Sequence, residues 1–155
     1  MKPLTAIVTG ASEGLGKSIA LELASRQIDL VLVSLPKSGL SELADYIRKN
    51  LGVKITIFET DLTSAENCKK LFNLLKADEV TANILINNAG LGNWAWFEDM
   101  NTGFYKKQIE LNVIAPVLLT HLFLAQVDDE RTAYILNVGS LAGRFVVSQC
   151  LLHGV

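Results

Sequence analysis

The feature that most constrains the fold is an alternation of short β-branched runs with longer stretches of helical periodicity. The runs that predict strands cover residues 5–9, 29–34, 54–60, 83–88 and 133–139. The stretches that predict helices cover residues 14–26, 38–50, 64–75 and about 101–127. Repeated βα units imply a parallel sheet with right-handed crossovers and helices on both faces. All five strands, including the last, are therefore expected to be buried.

The composition supports this architecture and restricts the partners. The chain has 155 residues, 50% of them hydrophobic and 19% charged, which suits one domain spanning 1–155 with a sheet covered on both faces. Its 14 basic and 16 acidic residues give a net charge of −2 without a basic cluster, which argues against nucleic acid or an anionic membrane as partner. The longest apolar helical stretch contains Pro116 and is too short for a membrane span.

The two cysteines, Cys68 and Cys150, lie far apart and lack the spacing of a metal or redox site. We therefore expect buried thiols in a reducing compartment and no metal site. The N-terminal apolar run is too short for a secretory signal and leads directly into a glycine-rich loop. These features favour a cytoplasmic location.

The motif TGASEGLG, residues 9–16, joins the first strand to the first helix. Gly10 suits a tight turn, Gly14 suits a close approach of backbone to a pyrophosphate, and Gly16 suits close helix packing. The amides at the start of the helix would then hold the phosphates. A glycine-rich turn without a ligand remains the alternative, but the position of the motif favours nucleotide binding.

Polar residues also follow the later strands. Asp61 follows the third strand and suits either a ligand contact or a cap on the next helix, for which Ser64 is the alternative. NNAG, residues 87–90, ends the fourth strand, where buried amides need hydrogen-bond partners. NVGSLAG, residues 137–143, ends the fifth. Since ligands bind beyond the carboxyl ends of such strands, these residues are the candidate site.

In this order and spacing, TGASEGLG, Asp61, NNAG, LNVIAPVLLT and NVGSLAG resemble the short-chain dehydrogenase/reductase family from about residue 5 to 143. The resemblance implies a Rossmann-type, doubly wound parallel sheet of strand order 3-2-1-4-5 that lacks the last strands of the family fold. It implies an NAD(P)-dependent oxidoreductase acting on a carbonyl or secondary alcohol, of which this chain is the cofactor-binding portion.

The resemblance also assigns residues to roles. It implies that Asn112 and Ser140 are catalytic. It implies cofactor binding by the glycine turn, by the residues after the third strand and by the residues after the fourth, namely Gly10, Ser12, Glu13, Gly14, Leu15, Gly16, Asp61, Leu62, Asn88, Ala89 and Gly90.

One expectation about Asn112 follows from the chemistry of proline. Pro116 lies four residues later and has no N–H, so the usual helical hydrogen bond to the Asn112 carbonyl cannot form and the helix should kink. The family uses this carbonyl to bind water in a proton relay, which agrees with the resemblance. A kink that serves only packing is the alternative.

The choice between NAD and NADP rests on the end of the second strand. An acid there would bind the ribose 2′-hydroxyl of NAD, but the sequence is SLPKS, residues 34–38. Lys37 favours a 2′-phosphate, whereas Glu13 opposes one. The balance predicts a slight preference for NADP.

The family's catalytic tyrosine and its following lysine have no counterpart in these residues. No tyrosine follows Ser140, no YxxxK occurs anywhere, and the family's usual spacing from the serine ends at His153. We therefore expect that the chain stops before the YxxxK motif and is inactive alone. The alternative is a non-catalytic nucleotide-binding or dimerisation module.

Three further features concern surfaces. In LGNWAWFEDM, residues 91–100, Trp94 and Trp96 suit either a pocket or packing, and Phe97 is expected to pack. His121 is expected in the core or an interface rather than as a ligand. The apolar side of the helix over 101–127 predicts a homodimer.

Overall fold

The computed structural model describes residues 4–127 and 132–141. These residues form a five-stranded parallel sheet of β1 (Thr5–Thr9), β2 (Asp29–Ser34), β3 (Ile55–Glu59), β4 (Ile84–Asn87) and β5 (Tyr134–Asn137). The strand order is β3-β2-β1-β4-β5, which confirms the predicted order. Cys150 and His153, which the sequence singled out, lie outside the described residues.

The helices are α1 (Gly14–Ser25), α2 (Leu40–Leu51), α3 (Ala65–Ala77), α4 (Thr102–Ile109) and α5 (Ala115–Leu124). The first three agree with the predictions to within two residues at each end. Residues 101–127 do not form one continuous helix, because a π-helical turn, Glu110–Ile114, separates α4 from α5. Of the helices in the described ranges, none combines the length and the apolar character that crossing a bilayer requires.

The π-helical turn explains the irregularity predicted around Asn112. Pro116 is the second residue of α5 and cannot donate to the Asn112 carbonyl. The Ala115 N–H instead donates to the Glu110 carbonyl, five residues back, so this hydrogen bond spans one residue more than in an α-helix. The predicted disturbance of the helical hydrogen bonds is present as a widened turn. The kink itself stays a prediction.

The core has two layers, one on each face of the sheet. Along β1, Val8 contributes to one face and Ile7 to the other, as the alternation of strand side chains requires. The first layer includes residues of α1 and α2, such as Ala20 and Ile47. The second layer includes residues of α3 and α5, such as Phe72 and Phe123. The sheet is therefore covered on both faces where β1 and β2 lie.

The fifth strand differs from the expectation. Tyr134, Ile135 and Leu136 are 56%, 38% and 48% exposed, and Asn137 is exposed as well. The prediction of a buried fifth strand is thus wrong within the described residues, because burial depends on neighbours as well as on apolar character. β5 pairs with β4 in register, so its backbone follows the prediction even though its side chains do not.

Candidate functional site

Two clefts lie at the carboxyl edge of the sheet, where ligands of such folds bind. The first has a volume of about 460 Å³ and the second of about 850 Å³. Ala89 and Gly90 line both clefts, so the loop after β4 lies where they meet. The predicted cofactor residues that line the first cleft are Gly10, Ser12, Glu13, Leu62, Asn88, Ala89 and Gly90.

The glycine turn packs tightly against the end of β4. A Cβ on Gly16 would collide with the Gly10 carbonyl oxygen and the Asn88 Nδ2 atom, so α1 approaches the strands as closely as it does only because residue 16 is glycine. Gly14 has a φ of +54°, and no described atom lies within 4 Å of the position that a Cβ would take there. The position of Gly14 is therefore open, whereas Gly16 is closely packed.

Thr9 and Asn88 join the ends of β1 and β4. The Thr9 Oγ1 atom accepts hydrogen bonds from the Asn88 and Ala89 N–H groups at 2.9 and 3.0 Å, and it donates to the Ile86 carbonyl at 3.2 Å. The Asn88 Nδ2 atom donates to the carbonyls of Thr9 and Gly10 at 2.9 and 3.2 Å. The Asn88 side chain thus shapes the wall of the first cleft. Sequence reasoning did not assign a role to Thr9, although it is the first residue of TGASEGLG.

The rim of the first cleft near β2 is polar. The Oγ atoms of Ser12 and Ser34 are 2.7 Å apart, which connects the glycine turn to the end of β2. The Lys37 N–H donates to Glu59 Oε1 at 3.3 Å, and Lys37 has a φ of +62°. The sequence showed no acid at the end of β2, but the neighbouring strand β3 supplies one there, because Ser34 and Glu59 are register partners.

The structure distinguishes the roles of Asp61 and Ser64. The Ser64 side chain caps α3 by accepting from the Asn67 N–H at 3.4 Å. Asp61 Oδ1 accepts from the Thr63 N–H and hydroxyl at 2.9 and 2.8 Å, which orders the turn before that cap. Asp61 is exposed and does not line either cleft, whereas its neighbour Leu62 lines the first.

The second cleft brings Asn112 and Ser140, the predicted catalytic residues, to one place. The Asn112 side chain binds the backbone of Leu91 twice, since Oδ1 accepts from the Leu91 N–H at 2.8 Å and Nδ2 donates to the Leu91 carbonyl at 2.9 Å. Asn112 therefore anchors the loop that follows β4. Ser140 is exposed and follows β5 by three residues.

Asn87, at the end of β4, has partners for its amide nitrogen, whereas its buried Oδ1 atom has none among the described residues. Its Nδ2 atom donates to Asn137 Oδ1 at 2.8 Å and to Thr120 Oγ1 at 3.3 Å. Asn87 is 4% exposed, and all three residues line the second cleft. The polar base of this cleft thus comes from β4, β5 and α5.

Some predicted residues lie away from both clefts. Gly14, Leu15 and Gly16 line neither one, and Trp94 and Trp96 are exposed and also line neither. The pocket interpretation of the two tryptophans is therefore wrong for these clefts.

The predictions for Phe97 and His121 agree with the structure only in part. Phe97 stacks on Tyr105 with ring centroids 4.7 Å apart, as expected for packing, although it remains 54% exposed. His121 is exposed and lines the second cleft, which rules out the core position within the described part of the chain.

Comparison with known proteins agrees with this geometry. The family model described as short chain dehydrogenase matches residues 4–151. The chain belongs to the short-chain dehydrogenase family. This membership explains why the motifs after β1, β4 and β5 lie at one edge of the sheet.

Curated relatives and solved structures agree with this membership. An uncharacterized oxidoreductase of Saccharomyces cerevisiae is 31% identical over 153 residues, which are 99% of this chain and 48% of the yeast protein. Estradiol 17-beta-dehydrogenase 11 of Homo sapiens is 31% identical over 147 residues, covering 95% of this chain and 49% of the human protein. The chain thus spans about half the length of the curated relatives it matches.

Among solved structures, the bulky-bulky ketone specific alcohol dehydrogenase from Comamonas testosteroni superposes with a TM-score of 0.84 at 33% identity, covering 93% of this chain and 57% of that one. A short-chain dehydrogenase from Sphingobium yanoikuyae in complex with NADPH gives a TM-score of 0.83 at 33% identity, covering 91% of this chain and 55% of that one. Both neighbours are longer than this chain.

Proposed function

We propose that this chain forms the cofactor-binding portion of an NAD(P)-dependent oxidoreductase that acts on a carbonyl or secondary alcohol. The observation that carries the proposal is the adjacency of the two clefts. The first is lined by Gly10 and Asn88, the second by Asn112 and Ser140, and the Ala89–Gly90 backbone belongs to both. Family membership and the NADPH complex of the Sphingobium yanoikuyae relative support it.

The residues around the first cleft suit a dinucleotide. Glu13, at the N-cap of α1, makes no side-chain capping hydrogen bond within the described residues, and Gly14 leaves open space beside it. The first amides of α1 would then bind the diphosphate, with the helix dipole favouring its charge. When bound, the dinucleotide supplies or accepts the hydride. Ala89 and Gly90 would bring the nicotinamide to the border of the second cleft, where Asn112 and Ser140 would orient the substrate.

A titration of the chain with NADPH and NADH, followed by fluorescence, tests the proposal. Gly14→Val should weaken binding strongly, because a side chain would enter the space for the diphosphate. Gly52→Val is the matched control, since Gly52 also has a positive φ and no described atom near the position of an added Cβ, but lies at the C-cap of α2. Absence of binding at millimolar cofactor, or equal effects of both variants, would contradict the proposal.

We also propose a preference for NADPH over NADH that depends on Lys37. Lys37 is exposed and lies between Leu35 and Ser38, which both line the first cleft. Glu13 and Glu59 lie near the same rim and oppose a phosphate, so the preference should be below about tenfold, or 1.4 kcal/mol. Lys37→Ala should abolish it. If Lys37→Ala leaves the ratio of the NADPH and NADH dissociation constants unchanged, another residue sets the preference.

We propose that the 155 residues alone bind cofactor without efficient turnover. No tyrosine follows Ser140 in this sequence, and the loss of a positioned acid costs about a hundred- to ten-thousand-fold in rate. Incubation with NADPH and a panel of ketones tests this expectation. Turnover at a rate typical of complete relatives would contradict it.

Self-association through the helical region 101–127 is a further part of the proposal. Ile114, Val117, His121 and Leu124 recur at helical spacing and are all exposed. The last three also line the second cleft, so pairing through them would cover that cleft. An apolar stripe of this kind on two copies would form a self-complementary interface. Sedimentation equilibrium should show a dimer that Val117→Glu dissociates, and a monomer at high concentration would exclude it.

We propose a cytoplasmic location, where thiols stay reduced. Cys68 is a free and fully buried cysteine of the second core layer, so this core needs no oxidising environment. Imaging of the tagged protein in its own cells tests the location. A signal confined to a secretory compartment would contradict it.

A further inference from the structure

Gln108, near the end of α4, is a buried polar residue that the sequence did not single out. Its side chain is 1% exposed, and its Nε2 atom donates to the Leu91 carbonyl at 3.1 Å. Its Oε1 atom is buried and has no hydrogen-bond partner among the described residues. A buried amide satisfied at only one end is destabilising relative to an apolar side chain of similar shape. Stability alone therefore does not explain a glutamine at this position.

The hydrogen bond from Gln108 holds a specific part of the site. The Leu91 carbonyl accepts from both Gln108 Nε2 and Asn112 Nδ2, while the Leu91 N–H donates to Asn112 Oδ1. Gln108 and Asn112 are four residues apart on one face of the helical path, so both side chains bond to Leu91. Gly90, the preceding residue, lines both clefts.

We infer that Gln108 is a positioning residue that holds the Gly90–Leu91 backbone at the border of the two clefts. It acts through Leu91, and its contribution to cofactor binding rests on the proposed function. Asn112 alone would leave this loop with one side chain on the Leu91 carbonyl. Gln108 adds a second side chain that donates to this carbonyl. The accompanying cost is a lower stability, because its buried Oε1 atom has no partner among the described residues.

Gln108→Met tests the inference because it keeps length and shape while removing both amide atoms. We expect the melting temperature to stay the same or rise, since the unsatisfied Oε1 atom is removed. We expect the Leu91 amide proton to exchange about fivefold faster, the change that loss of one neutral hydrogen bond gives. The dissociation constant for NADPH should rise by about the same factor.

Asn83→Leu is the matched control. Asn83 is also 1% exposed, and its side-chain Nδ2 and Oδ1 atoms lack partners among the described residues. It precedes β4 at the opposite edge of the sheet and lines neither cleft. This variant should share the thermal behaviour of Gln108→Met but leave Leu91 exchange and NADPH affinity unchanged.

The outcomes separate this inference from the proposed function. If the unmodified chain fails to bind NADPH, the proposed function is wrong, and Leu91 exchange still decides whether Gln108 holds the loop. If the chain binds NADPH but Gln108→Met changes neither exchange nor affinity, the inference is wrong. Gln108→Leu serves as a second variant. If both variants unfold while Asn83→Leu folds, Gln108 is a purely structural residue and the inference is overturned.

Discussion

The strands β4 and β5 pair in register over four residues, yet their surroundings are opposite. Every residue of β4 is buried, whereas every residue of β5 is exposed in the described part of the chain. Leu85 and its register partner Ile135 show the contrast, at 0% and 38% exposure. The first cleft lies beside the buried strands β1 and β2, which we call the closed side of the sheet. The second cleft lies beside β5, whose side chains are exposed among the described residues, and we call this the open side.

The largest effect should come from adding a side chain to a glycine on each side. Gly16→Val should lower the free energy of unfolding by more than about 4 kcal/mol, because its Cβ meets the Gly10 carbonyl and the Asn88 amide. Gly139→Val should change it by less than about 0.5 kcal/mol, since no described atom lies within 4 Å of its Cβ position. Urea denaturation measures both. A loss above about 2 kcal/mol for Gly139→Val would show that the open side is covered.

Truncation of the register partners should give the next largest difference. Leu85→Ala should cost about 3 kcal/mol, because it leaves a cavity in a fully buried layer. Ile135→Ala should cost about 1 kcal/mol, because part of its surface already contacts solvent. Thermal and chemical unfolding check the pair. Equal losses would mean that β5 is as buried in solution as β4.

The hydroxyl groups that bond to the end of β4 on the two sides provide a third comparison. Thr9→Val should cost about 2 kcal/mol, because the Asn88 and Ala89 N–H groups both lose their acceptor. Thr120→Val should cost less than about 1 kcal/mol, because Asn87 Nδ2 retains its bond to Asn137. Thr9→Ser keeps the hydroxyl and should retain most of the stability. Equal stability of Thr9→Ser and Thr9→Val would argue against the role of this hydroxyl.

The smallest effect concerns pH and the thiol on the closed side. Burial, with a further contribution from the negative charge of Asp61, raises the pKa of Cys68 above its ordinary value. From about pH 8.5 upward the unfolded thiol loses its proton before the folded one, so the unfolded state binds fewer protons and stability falls as pH rises. The stability of the unmodified chain should therefore fall more steeply than that of Cys68→Ala over this range. Parallel pH profiles would show that Cys68 does not contribute.

The elements that could be predicted are those whose signal is local. The bounds of β1 and β2 match the prediction, because apolar β-branched runs next to turn residues specify strands directly. The interruption near Asn112 was also predictable, since Pro116 removes a backbone donor whatever surrounds it. Its form as a π-helical turn was not predicted, because the rearranged hydrogen bonds depend on how α4 and α5 pack.

Within the site, the sequence indicated which loops meet but not what each side chain does there. Asn88 and Asn112 were predicted as site residues, and both bind backbone groups far away in sequence. Gln108 gave no signal, because its partner Leu91 lies in another loop and an isolated glutamine has no pattern.

By itself the sequence determined the order of strands and helices, the family, and the glycine turn at the carboxyl edge of the sheet, because each depends on local periodicity or on short motifs. Only the tertiary structure decided that Glu59 lies beside Lys37, that Gln108 holds Leu91, and that β5 is exposed. These features depend on contacts between segments distant in the chain. Such contacts form only when the sheet sets the register of its strands, and neither composition nor periodicity records them.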